Sequence, residues 1–261
     1  MSSKSAELPA PLRWLTGIAA LCSAFLAMDS LRLFSESPLL DFVITLQNHY
    51  YYALIGLLLP LCYLLNPSFR SPKSYLFDGV LSLAAFVSCI FFFINTENML
   101  DYGWEFSAPG YAIWMSYLLW ALIMEAVRRT GGWVLFTLVL VFSLYPIFAE
   151  NLPGPISGMA SSLGETAGYH VMSIESILGL PFRAFAQLVI GFLIFGIALQ
   201  QTGGGRFFIN LAFAAFGHVR GGSAKVAIVS SGLMGSMSGS VITNVLTTGQ
   251  MTIPAMQKNG M

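Results

Sequence analysis

Apolar residues fall into six long runs, at 14–33, 50–65, 79–94, 111–124, 133–149 and 184–200, and the stretches between them hold nearly all the charge. Each run, with its apolar flanks, is near the roughly 20 residues a helix needs to cross a bilayer. In hydrocarbon only a helix or a closed barrel satisfies every backbone group, so the pattern predicts six crossing helices. Trp14, Tyr50, Tyr111, Trp133 and Tyr145 stand near run ends, where amphipathic rings settle at headgroup level.

The polar stretches alternate in sign. Lys4 and Arg13 precede the first run, Arg70 and Lys73 follow the second, Arg128 and Arg129 the fourth, and Arg206 the sixth. The intervening stretches are acidic, with Glu36 and Asp41, then Glu97, Asp101 and Glu105, then Glu150, Glu165 and Glu175. Only Arg32 and Arg183 add positive charge there. The basic side belongs in the cytoplasm, which puts the N-terminus inside. Asp29 and Arg32, and Glu125 with Arg128 and Arg129, have the three- and four-residue spacings at which helix neighbours pair.

Composition supports this layout: of 261 residues 56% are hydrophobic and only 9% charged, and mean hydropathy is +0.73. Twelve basic residues balance twelve acidic ones, so no basic face exists for nucleic acid. Cys22, Cys62 and Cys89 sit in separate apolar runs without CxxC spacing, which suits inert thiols. His49, His170 and His218 lie far apart, and no nucleophile–base or paired-carboxylate constellation is discernible, so an enzyme is not expected.

After residue 200 the pattern changes. Gly203, Gly204 and Gly205 end the sixth helix, and 206–218, carrying Phe207, Phe208, Leu211, Phe213 and Phe216, reads as an interfacial amphipathic helix. The triple glycine lacks a Walker lysine and is not a phosphate loop. Two apolar arms follow, 226–234 and 241–256, broken by Gly235-Ser-Met-Ser-Gly-Ser240. Arg220 and Lys225 flank one end and Lys258 the other, so the segment returns to the side it left, as a re-entrant hairpin.

A break between half-helices frees N–H groups at one new terminus and carbonyls at the other. Ser236, Ser238, Ser240 and Asn244 add hard oxygen ligands for a small cation, and the second half-helix offers its N-terminus to an anion. The same small residues also suit a close-packing helix face.

Residues Gly217-His-Val-Arg-Gly-Gly-Ser-Ala-Lys-Val-Ala-Ile-Val229 and Gly235-Ser-Met-Ser-Gly-Ser-Val-Ile-Thr-Asn-Val-Leu-Thr-Thr-Gly-Gln-Met-Thr-Ile-Pro-Ala-Met256 resemble the fused membrane permease of tripartite ATP-independent periplasmic (TRAP) transporters. So do Met124-Glu-Ala-Val-Arg-Arg-Thr-Gly-Gly-Trp133 and residues 192–205. The likeness is dense from about residue 124 to 260, while earlier only hydrophobic layout agrees.

The resemblance implies a sodium-coupled secondary transporter with an elevator-type mechanism in a bacterial or archaeal cytoplasmic membrane. It would import organic acids, dicarboxylates among them, received from a periplasmic binding protein. Carried onto this chain it puts sodium and substrate contacts at Ser238, Gly239, Ser240, Thr243, Asn244, Thr247, Thr248 and Gly249, beside Ser236. Sodium is the coupling ion, with no other cofactor. The expected fold is an all-α polytopic membrane protein with about six transmembrane helices, an interfacial helix and a re-entrant hairpin. Residues 1–150 would form a small-subunit-like region of about five helices, 151–183 an extracytoplasmic connector, and 184–261 the start of the large subunit. With one hairpin of the two such transporters use, the chain is expected to be an N-terminal piece, partnered by the rest of that subunit and inactive alone. A non-transporting scaffold is the competing expectation.

Overall fold

The computed structural model describes residues 9–30, 44, 46–67, 72–237, 245, 248, 249, 252–254, 256 and 257. The protein is an all-α polytopic membrane protein, and the described residues contain no strand. Its helices are α1 (Ala10–Ser30), α2 (Gln47–Leu65), α3 (Pro72–Ile94), α4 (Thr96–Asp101), α5 (Gly110–Phe148), α6 (Leu163–Met172) and α7 (Leu180–Ala184). A π-helical turn (Phe185–Val189) leads into α8 (Ile190–Gln201), followed by α9 (Gly204–Phe216) and α10 (Gly222–Met237). The chain forms two compact units, Met1–Gln187 and Leu188–Met261.

Starts are written in the local sequence. Pro72 opens α3 and Pro181 lies in the first turn of α7, where proline's missing N–H has no intrahelical partner to lose. Ser162 caps α6 by accepting from the Glu165 N–H at 3.2 Å, while the Ser162 N–H donates to the Glu165 carboxylate at 2.8 Å.

Among the described residues four helices are long and apolar enough to cross a membrane: Ala10–Ser30, Tyr75–Ile94, Gly110–Asn151 and Leu180–Leu199. The third, at 42 residues, would extend about 63 Å if straight, twice the roughly 30 Å of hydrocarbon. Instead it folds in half. Gly132 takes φ +74°, ψ −177°, a conformation open essentially to glycine alone. The Trp120 indole N–H donates to the Ser143 hydroxyl at 2.8 Å, although 23 residues of straight helix would separate them by about 35 Å. The two arms of α5 are therefore antiparallel, matching the separate runs 111–124 and 133–149 with a charged turn between.

The first unit is built around α2, whose hydropathy is lowered by four buried tyrosines. In a dry interior each phenol needs a partner. Tyr52 donates to the Val171 carbonyl at 3.0 Å, Tyr50 to that of Ala186 and Tyr63 to that of Leu122, while Tyr51 accepts from the Gln187 amide at 2.9 Å. The expectation of an interfacial ring at Tyr50 is thus corrected. It is 2% exposed because α2 packs against neighbours there, whereas Trp14, Tyr111 and Trp133 are exposed. Among the described residues, Leu76, Val80, Leu83 and Val87 of α3 and Val134, Leu138 and Val141 of α5 form outward apolar faces suited to lipid.

Side-chain bonds sort the helix ends into two groups. The end of α2, the start of α3 and the α5 turn are joined through Arg129, and the start of α2 is joined to α6 and to the π turn through its tyrosines. The stretch after residue 65 and the turn at 125–132 therefore share one side, as their common positive charge led one to expect.

Candidate functional site

The second unit presents the first arm of the expected hairpin. Gly203, at φ +92°, turns the chain after α8. A Cβ at Gly204 would stand 2.7 Å from the Leu199 carbonyl oxygen, so the triple glycine is a tight connection set by backbone proximity. Gly221, at φ +70°, makes the next connection, and a Cβ at Gly222 would meet the Phe216 carbonyl oxygen at 2.6 Å.

Between these turns α9 and α10 pack antiparallel, because a Cβ on Gly205 at the start of α9 would touch the Met234 side chain near the end of α10, at 3.2 Å. Gly205, Ile209 and Ala212 form the buried stripe of α9, and Ser223, Val226, Ser230 and Met234 that of α10. Small residues let the two backbones approach, and Phe207, Leu211, Phe213 and Phe216 remain exposed as on an amphipathic helix.

Helix α10 is longer than the run 226–234 suggested. It starts at Gly222 and continues through Ser236 to Met237. Sixteen residues span about 24 Å, still short of the roughly 30 Å hydrocarbon core. Ser238, Gly239, Ser240, Thr243, Asn244 and Thr247 lie outside the described residues. Thr248 and Gly249 are helical and Thr248 is buried, its carbonyl accepting from the Thr252 hydroxyl at 2.8 Å. A Cβ on Gly249 would rest in ordinary contact with Ile253, 3.4 Å away, so space alone does not demand glycine.

A second constellation lies in the first unit. Arg129 donates to Asp78 at 2.7 Å, to Glu125 at 2.8 Å and to the Asn66 carbonyl at 3.1 Å, with its guanidinium 4.9 Å from the Tyr63 ring centroid. The Arg129 and Asp78 side chains are 3% and 2% exposed. Arg128 grips Glu125 through two bonds of 2.7 Å. The pairs within 125–129 follow their spacing. Asp78, 51 residues from Arg129, was not singled out from sequence, although an acidic residue at the edge of an apolar run is itself a signal that a partner exists.

Near the other helix ends, Glu105, Phe106, Pro146, Ser161, Thr166 and His170 are among the residues lining a cavity of about 310 Å³. The His170 ring bridges the Ser143 carbonyl at 2.8 Å and the Ser176 hydroxyl at 2.6 Å. Donation from the Ser162 N–H holds the Glu165 carboxyl below the ordinary carboxylate range. Among the described residues no group of three or more His, Cys, Asp or Glu side chains could hold a metal ion.

Residues 118–261 match the family model described as "Tripartite ATP-independent periplasmic transporter, DctM component". The chain is 30% identical over 108 residues to the C4-dicarboxylate TRAP transporter large permease protein DctM of Pseudomonas aeruginosa, covering 41% of this chain and 22% of that protein. It is 25% identical over 197 residues to the sialic acid TRAP transporter permease protein SiaT of Haemophilus influenzae, covering 74% of this chain and 28% of that protein. An uncharacterized protein, YgiK, of Salmonella typhimurium is 29% identical over 126 residues, 48% of this chain and 28% of that protein. The chain thus spans at most about 28% of the length of these curated relatives. No solved structure matches it.

Proposed function

The chain belongs to the DctM-component family of tripartite ATP-independent periplasmic transporters, and from that premise we propose that it forms part of a sodium-coupled permease that imports organic acids handed over by a periplasmic binding protein. The observation that carries this reading is the family match over 118–261, which takes in α9, α10 and the Gly/Ser break after them. An apolar half-helix too short to cross, ending at a serine- and glycine-rich break, is how membrane proteins build a site from backbone termini at mid-depth.

Ser236, Ser238, Gly239, Ser240, Thr243, Asn244, Thr247, Thr248 and Gly249 are the residues we assign to sodium and substrate. Hydroxyl and amide oxygens suit a hard monovalent cation, and the N-terminus of the second arm suits a carboxylate. Residues 1–150 would act as a small-subunit-like region, 151–183 as an extracytoplasmic connector and 184–261 as the opening of the large subunit, whose remaining part completes the transporter. The basic residues Arg70 and Lys73 in sequence, with the turn at 125–132, support a cytoplasmic N-terminus in the inner membrane. Elevator-type displacement of the hairpin would carry the substrate.

The buried Ser223 and Ser230 and the close approach at Gly205 favour a second reading, in which the small residues serve packing and the chain is a scaffold. Proteoliposomes separate the two. The chain is joined to the rest of a large permease subunit, and uptake of a labelled dicarboxylate or sialic acid is followed with its binding protein present. Uptake that requires both an inward sodium gradient and the binding protein supports the permease, and its absence with a folded, assembled complex supports the scaffold.

A further inference from the structure

We propose that Arg183 and Gln187, at the end of the first unit, form a binding point for the carboxylate of a small organic acid. Arg183 stands inside the apolar span Leu180–Leu199, where a charged side chain calls for a counter-charge. Among the described residues it forms no ion pair, not even with Glu175 eight positions earlier. Its Nη2 donates to the Ile174 carbonyl at 3.1 Å, at the exposed edge of the side chain, while its Nε is buried with no hydrogen-bond partner. A guanidinium with one neutral acceptor and one orphaned donor is under-compensated. Its charge is delocalised over the fork, so an anion at the exposed Nη edge compensates the whole ion.

The side chain beside it adds a donor. Gln187 follows Arg183 by four residues, one turn on along the same face. Its amide donates to the Tyr51 hydroxyl at 2.9 Å, which holds the side chain and leaves a second amide hydrogen for a ligand. The support is rigid: Tyr51 is 1% exposed, its ring meets Phe182 edge-on with centroids 5.8 Å apart, and Tyr50 pins the same turn by donating to the Ala186 carbonyl. One positive charge and an amide N–H, with no carboxylate of the chain paired to them, are the complement of a single carboxylate. The stretches on this side of the chain are otherwise acidic, from Glu97 to Glu175, so an extended anionic surface is repelled where one small acid reaches the isolated cation. That the acid is one the permease carries rests on the function proposed above, whereas the site itself does not.

The test uses the whole chain with Phe182→Trp as a fluorescent reporter, in phosphatidylcholine nanodiscs and in maltoside micelles. The reporter signal is that of the variant minus that of the chain with Phe182. It is quenched with carboxy-PROXYL and with carbamoyl-PROXYL, nitroxides of nearly the same shape that differ in one carboxylate. The ratio of the two quenching constants is expected to fall about fivefold in Arg183→Gln, the upper end for an exposed ion pair, and less in Arg183→Lys. Succinate should relieve the carboxylate's excess quenching and saturate in doing so. A ratio unchanged by Arg183→Gln overturns the proposal, and so does an excess that succinate leaves in place, since that is local potential without a site. A fall seen in micelles and absent in nanodiscs gives the position to a lipid phosphate and overturns it too. Should Arg183→Gln fail to fold, Gln187→Glu decides: its carboxylate accepts from the Tyr51 hydroxyl and pairs with Arg183, and a ratio that survives it counts against the site. Lost binding with sodium-driven uptake intact refutes this site alone, and lost uptake with binding intact refutes the transport reading alone.

Discussion

Removing Asp78, buried in α3 beneath Arg129, is expected to destabilise the first unit strongly. The guanidinium is 97% buried by side-chain area and bonded at 2.7 Å to a carboxylate equally withdrawn from solvent. Asp78→Ala leaves that charge with Glu125, which is 26% exposed and already shared with Arg128. Deleting one partner of a buried pair costs about 3–5 kcal/mol, because the other is left in low dielectric without full compensation. At about 2–4 °C per kcal/mol for a chain of this size, Tm should fall by about 6–20 °C. Asp78→Asn keeps an oxygen for the bond and should fall less, and the double change Asp78→Leu with Arg129→Met should recover most of the loss, since a packed apolar replacement removes both desolvation penalties. Thermal melts in detergent micelles, followed by far-UV circular dichroism, provide the readout. A Tm within 2 °C of wild type for Asp78→Ala, or a double variant less stable than Asp78→Ala, would refute the reasoning.

Gly132→Ala forces a side chain into φ +74°, ψ −177°, and should cost about 1–3 kcal/mol in the same melts while perturbing Trp120, whose bond to Ser143 depends on the turn. An unaltered melt and emission spectrum would show that the turn does not need glycine. At the α6 cap the folded state holds the Glu165 carboxyl below its ordinary range, so its contribution is present above the unfolded value of about 4.3 and disappears as the pH falls through the lower folded value. The Tm difference between wild type and Glu165→Ala should therefore be measurable at neutral pH and vanish in acid, whereas a difference that grew on acidification would contradict the capping role.

Much of the architecture was legible because lipid enforces it. Among the described residues five of the six runs lie in helices long and apolar enough to cross, the exception being 50–65 in α2 with its buried tyrosines, and alternating charge separated the helix ends into the two groups later joined by Arg129 and by the tyrosines of α2. The turn of α5 was marked by its charges, Glu125, Arg128 and Arg129, between two apolar runs. Tyr50 was misplaced because a ring near a run end reads the same whether its helix meets lipid or protein, and only packing tells which. The Asp78–Arg129 pair depends on two helices meeting, which no local spacing reports. The π-helical turn at Phe185–Val189 left no recognised signal. Beyond residue 200 the structure adds the length of α10 and its small-residue packing on α9, while the ligand roles expected at the Gly/Ser break rest on residue types alone.

Whether Ser238 and Asn244 are ligands or packing is the point on which the functional account stands. Sodium-driven uptake by the reconstituted permease, measured for wild type, Ser238→Ala and Asn244→Ala at matched insertion and with the same binding protein, addresses it directly. The account predicts that either substitution abolishes sodium-coupled uptake while the complex remains assembled. Wild-type rates and sodium dependence in both variants would contradict it and leave the segment as a packing element.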